Sequence, residues 1–173
     1  RYIPEFGDII GMMQYDLLHK YTVDEHSFRM IRLLRQFRYG NVRELFPLAS
    51  RLIHKVQKKE ILYITALLHD TGKSVEGDHC QTGGEIAEAF CKQHNLKPAD
   101  AHMVVWLVTN HLLMSNASQR LDLTNPDDIH QFAVEVGDQY HLDMPTLISI
   151  ADTYSTNPDL WTPWRAEQTR ELY

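Results

Sequence analysis

The sequence predicts an all-α fold. Apolar residues recur every three or four positions along most of the chain, no stretch alternates at period two, and polar caps, prolines and glycines bound the periodic segments. Phe6, Ile9, Met13 and Leu17 share one helical face and predict a first helix. Thr22-Val23-Asp24-Glu25 has the form of a capping box opening a second, with Thr22 and Glu25 satisfying free backbone N–H groups. Phe28, Ile31 and Leu34 continue that helix, and Gly40-Asn41 stops it. Pro47 suits the first turn of a short helix through Val56. Residues 58–70 form the next, with Leu62, Ala66 and His69 along one stripe; Thr71-Gly72 ends it, and 74–78 is a loop. Helices are expected over 82–94 and 98–113. Asn125 caps a further helix whose first turn holds Asp127 and Asp128, favourable to the helix dipole. Pro145 opens another that runs through Asp152, Asn157-Pro158 turns the chain, and 161–173 is the last helix. With no repeat, low-complexity segment or internal boundary, residues 1–173 are expected to form one domain.

Composition narrows the function. Hydrophobic residues make up 43% and charged residues 23%, as in a globular protein that can bury its own core. A formal net charge of -6 without a basic cluster argues against nucleic acid or an anionic membrane as the main partner. The longest apolar run, 103–108, falls far short of the ~18 residues a membrane span needs. Cys80 and Cys91 lack a CxxC spacing and read as reduced thiols, so a cytoplasmic location is expected. No signal segment opens the chain, and a start at Arg1 rather than Met suggests a piece of a longer protein.

Ionisable residues stand where apolar ones belong. Leu62, Thr65 and Ala66 lead along their helix face to His69, and Val104, Leu107 and Val108 lead to His111. Asp152 follows Leu147, Ile148 and Ala151, and His26 sits one turn into the Thr22 helix. A core-facing charge is costly unless paired or bound to metal. Taken singly, each histidine is better explained by a bond to a backbone carbonyl, and Asp152 by an Arg partner. Recurrence on four helices favours one shared metal centre. His19, His54, His94, His102, His130 and His141 lie in polar or terminal contexts and default to surface roles. Gly72-Lys73-Ser74 looks like the end of a phosphate-binding loop, but Leu67 stands where that motif needs a glycine.

His26, His69-Asp70 and Asp152 resemble the H…HD…D signature of the HD phosphohydrolase superfamily, and His69-Asp70-Thr71-Gly72-Lys73 is its most specific element. His79 and His111 match the extra histidine ligands of HD domains that hold two metals; Leu112 departs from the two-histidine pattern of the cyclic-dinucleotide branch. A wider match runs through residues 21–26, 77–79, 104–108, 111–115 and 156–161, then Trp164-Arg165 and Leu172-Tyr173. It resembles the HD domain of the bifunctional uridylyltransferase/uridylyl-removing enzymes of bacterial nitrogen regulation.

That resemblance implies a single HD-type helical domain, cytoplasmic, that removes UMP from a uridylylated tyrosine of the PII signal protein. It also implies neighbouring nucleotidyltransferase and ACT domains in a full-length chain. The implied cofactor is one or two divalent ions (Mn, Fe, Zn or Mg). Such an ion lowers the pKa of its water toward ~7 and polarises phosphoryl oxygens. His26, His69, Asp70 and Asp152 would hold one ion, and Asp70 would bridge to a second held by His79 and His111. Asp70 and Lys73 are the candidate catalytic residues, and Lys73 and Arg120 the candidate substrate contacts. Lys73 reads equally well as a solvated cation at a helix C-terminus, and residues 116–123, which include Arg120, as a plain surface loop. Trp161 and Trp164, spaced i, i+3, are expected to pack the last helix. The alternatives are an HD hydrolase of a free nucleotide and a helical regulatory module without catalysis.

Overall fold

The computed structural model describes residues 3–14 and 18–173. Among these residues every regular element is helical: α1 (Pro4–Gly7), α2 (Val23–Gln36), α3 (Pro47–Leu52), α4 (Lys59–Leu68), α5 (His79–Gln93), α6 (Pro98–Thr109), α7 (Leu113–Arg120), α8 (Pro126–Val136), α9 (Gln139–Thr156) and α10 (Pro163–Leu172). Short 3-10 turns at Gly40–Val42, Thr71–Ser74 and Pro158–Leu160 join them. No described helix is long and apolar enough to cross a membrane.

Helix α2 packs on α4 and α9, α4 on α6, and α6 on α5; α5 in turn sits on the 71–74 turn. Met30 and Leu34 of α2, Leu62 and Ala66 of α4, Leu107 and Val108 of α6, and Leu147, Ile148 and Ala151 of α9 form one continuous core. Burial of each large apolar side chain contributes about 1.5–3 kcal/mol. A smaller cluster of Met114, Ala117, Phe132 and Val136 fastens α7 to α8.

The structure corrects several sequence-based expectations. The first helix stops at Gly7, and the chain turns through Gly11 at a φ of 73°, its N–H bonded to Asp24. Met13 is exposed as a result, and Leu17 lies outside the described residues. Thr22 is the N-cap of α2 but makes no side-chain capping bond, and Glu25 pairs with Arg29 instead. Phe28 is exposed beside Phe6, and the buried stripe runs through Val23, His26, Met30 and Leu33. Residues 113–120, expected partly as loop, fold into α7. Pro145 sits inside α9, which begins earlier, at the Asp138 cap. Asn125 caps α8 as expected, its side chain accepting from Asp127 N.

Candidate metal centre

The last carbonyls of an α-helix have no partner within the helix. Two histidines use this in the same way. His69 follows α4 and its Nδ1 lies 3.0 Å from Ala66 O; His111 follows α6 and its Nδ1 lies 2.7 Å from Val108 O. A carbonyl only accepts, so each Nδ1 carries a proton and each Nε2 is the ring nitrogen left to face the centre. Both rings are buried, and both Nε2 atoms face Asp70. His26, in the first turn of α2, brings its own Nε2 to 3.1 Å from His69 Nε2 and 3.0 Å from Asp152 Oδ1.

Asp70 is the hub. Its Oδ2 lies 3.3 Å from His69 Nε2, 3.7 Å from His26 Nε2 and 2.7 Å from Lys73 Nζ, while its Oδ1 lies 3.8 Å from His111 Nε2. The two oxygens therefore address two neighbouring groups of donors. On one side, His26, His69 and Asp70 each offer an atom within 4.8 Å of the others; on the other, His79, Cys80 and His111 do the same. His79 opens α5, where Asp78 caps the helix by accepting from Cys80 N and Gln81 N. Its ring stands 5.4 Å from that of His111.

The charges are held by one another. Burial pushes the Asp70 carboxyl up, but His69, Lys73 and His26 overcome this and hold it well below the usual carboxylate range. Burial opposes ionisation of Asp152 too, and the bond from His26 with the charges of His26 and His69 lowers it below the ordinary value. For His69, burial is outweighed by Asp70 and Asp152, which raise its pKa. Burial and the neighbouring His69 push His111 down to about 4, so its ring is neutral near pH 7. Burial likewise lowers His79.

These shifts give a testable pH dependence. His111 binds a proton more readily when unfolded, where its pKa is near 6.5, than when folded. Stability of the metal-free protein is therefore expected to fall as pH drops from 6.5 to about 4. The depressed Asp70 and Asp152 carboxyls continue the loss below their ordinary value of 3.8, while the raised His69 opposes it above 6.5 by losing its bonus as pH rises. Chemical denaturation with a chelator present measures this, and a flat stability profile between pH 6.5 and 4 would contradict it.

The six expected ligand positions thus meet in one place. Lys73, left open between two readings, is not a solvated helix-end cation: its ammonium is mostly buried and bonds both Asp70 and Gln14. Asp70, Lys73, His79, His111 and Asp152 line a cleft of about 290 Å³. Arg120 does not line it; it is exposed at the end of α7, because residues 113–120 are helical rather than a loop. Arg165 of α10 lines the cleft in its place, with a 3.3 Å bond to Gln119. His19 also lines the cleft, against the surface role expected for it. His54, His94, His102 and His130 are exposed, and His141 bonds Asp138.

The family model described as HD domain matches residues 23–157, which takes in all six of these positions. The chain belongs to the HD domain family. As an HD domain it is also similar to longer proteins. It is 50% identical over all 173 residues to the bifunctional uridylyltransferase/uridylyl-removing enzyme of Ectopseudomonas mendocina, and 50% identical over the same length to that of Pseudomonas fluorescens. The enzyme of Stutzerimonas stutzeri matches at 49%. The HD chain spans 19% of the length of each of these relatives.

Proposed function

We propose that this HD domain is a metal-dependent phosphodiesterase that removes UMP from a uridylylated tyrosine of the PII signal protein. In this reading it is the hydrolytic part of a longer chain that also carries nucleotidyltransferase and ACT domains. The observation that carries it is the Asp70 hub between two groups of inward-facing donors. The name uridylyl-removing, borne by relatives at 50% identity, supplies the substrate class.

The donors fit a divalent cation. The buried Asp70 carboxylate, the part-buried Asp152 carboxylate and the Nε2 atoms of His69 and His111 face inward, and among the described residues Lys73 brings an ammonium to them. Such a set of acceptors repels itself unless protons or a cation are shared among them. Mixed imidazole and carboxylate donors suit Mn, Fe, Zn and Mg-like ions to different degrees. His26, His69, Asp70 and Asp152 would hold one ion, and Asp70, His79 and His111 a second. When bound, the metal supplies Lewis acidity at phosphorus and a hydroxide-like nucleophile near neutral pH.

The remaining work falls to the chain. The backbone bonds of His69 and His111 fix their tautomer, which raises their basicity as ligands. Lys73 and Arg165 bring positive charge to the wall of the cleft, where charge builds on the phosphoryl oxygens. The leaving group is a tyrosine phenolate, whose conjugate acid has a pKa of about 10, so a strong general acid is not required. Release of UMP from uridylylated PII by the metal-supplemented protein tests the proposal. Efficient cleavage of free nucleotides with uridylylated PII left untouched would overturn it.

A further inference from the structure

Cys80 is absent from the expected ligands, yet the structure turns it toward the same centre. Its Sγ lies 3.6 Å from His79 Nε2, and His79, Cys80 and His111 each offer a donor atom within 4.8 Å of the other two. A tetrahedral ion with Zn–S near 2.3 Å and Zn–N near 2.05 Å holds its sulfur and nitrogen about 3.6 Å apart. The observed separation is that of a thiol–imidazole hydrogen bond, and it also matches two donors on one small ion, so an ion could replace the shared proton without moving either side chain far. A second observation points the same way from another helix. The His111 side chain is 2% exposed, its Nδ1 is committed to Val108 O, and its Nε2 makes no hydrogen bond among the described residues. Asp70 Oδ1 lies 3.8 Å away, too far for a hydrogen bond.

We propose that Cys80 is a direct ligand of the second cation, sharing it with His79, His111 and the bridging Asp70. This rests on the reading of the cluster as a metal centre and adds to it a sulfur donor. On binding, the Sγ–H bond breaks, its proton passes to buffer, and a sulfur–metal bond forms. One thiolate among imidazoles shifts the preference of this site toward thiophilic ions such as zinc, cobalt or iron and away from magnesium. The two sites of the cleft would then differ in metal preference, the first being built from histidine and carboxylate alone.

Adjacent residues at a helix start seldom aim at one point. Here Asp78 holds the first turn of α5 by its two backbone bonds, and the half-buried thiol folds back beside the His79 ring. Cys91, the other cysteine, is buried in the apolar core and provides the internal control.

Cobalt(II) is the probe, added under nitrogen to the purified metal-free protein. The expected result is a thiolate-to-cobalt charge-transfer band in the near ultraviolet. Cys80→Ser and His79→Ala should abolish it, Cys91→Ser should retain it, and excess magnesium should leave it in place. Cobalt affinity at this site should weaken in Cys80→Ser by more than the ~10–100-fold that losing an outer-shell partner costs. Circular dichroism of Cys80→Ser, a nearly isosteric change, checks that the helices are intact, and Cys80→Ala provides a second variant. Cobalt bound without a sulfur band, a band that survives in Cys80→Ser, or displacement by magnesium overturns the role of Cys80 and leaves the proposed function standing. Failure to bind cobalt at any ratio overturns both.

Discussion

If the proposed activity is correct, the double substitution His69→Ala/Asp70→Ala is expected to lower release of UMP from uridylylated PII by at least ~10³-fold, about 4 kcal/mol of transition-state stabilisation. The reason is the number of groups that meet at Asp70. Its carboxylate lies within 4 Å of three ring nitrogens, those of His26, His69 and His111, and of the Lys73 ammonium, so its loss strips all four of one shared partner. Losing His69 removes a ring nitrogen that the bond to the Ala66 carbonyl had aimed at the same centre. The helices should persist. Buried ion pairs add little net stability, and the core of α2, α4, α6 and α9 does not depend on either side chain. A cost of about 3–5 kcal/mol is expected, because the mostly buried Lys73 ammonium is left without its carboxylate. Asp70→Asn separates charge from shape: it should match most of the activity loss at a smaller cost in stability. Turnover near the wild-type level in the double variant, measured with metal present, would refute the assigned centre.

Much of this centre is legible in the sequence because it breaks a pattern. The helix faces leading to His69, His111 and Asp152 are largely apolar up to the residue that departs, and that departure marks the proposed ligand. Residues that complete the cleft from polar segments leave no such mark. Arg165 lies on a helix with little amphipathic contrast, and His19 on an irregular stretch, so periodicity has nothing to say about either. Cys80 is hidden differently, because a thiol is both a small apolar side chain and a ligand. The fold errors have equally local causes. Gly11 at positive φ breaks a stripe that reads as continuous, and Pro145 is tolerated inside α9 although proline normally opens a helix. Residues 113–120 are held as α7 by tertiary packing of Met114 and Ala117 against Phe132 and Val136, which no local signal announces.

Gly72→Ala carries the largest stability effect expected of a single methyl group here. Gly72 stands in the turn between Asp70 and Lys73, and that turn packs on the start of α5. A Cβ at this position would overlap the carbonyl oxygen of His79 and lie 2.8 Å from Gly83 N. Both obstacles are backbone, so no change of rotamer relieves them, and α5 must move away. Overpacking of this kind costs about 3 kcal/mol, at the upper end of the usual range. For a domain of this size that is a fall in Tm of roughly 6–12 °C. Gly40→Ala is the control, because a Cβ there meets nothing within 4 Å, and its effect should stay within about 0.5 kcal/mol. The displacement also has a direction. His79 and Cys80 travel with α5, whereas His26, His69 and Asp152 are carried by other elements. Metal titration of Gly72→Ala should therefore show the second ion weakened far more than the first. Equal weakening of both, or an unchanged Tm, would mean that the glycine is not what lets α5 approach the Asp70 turn.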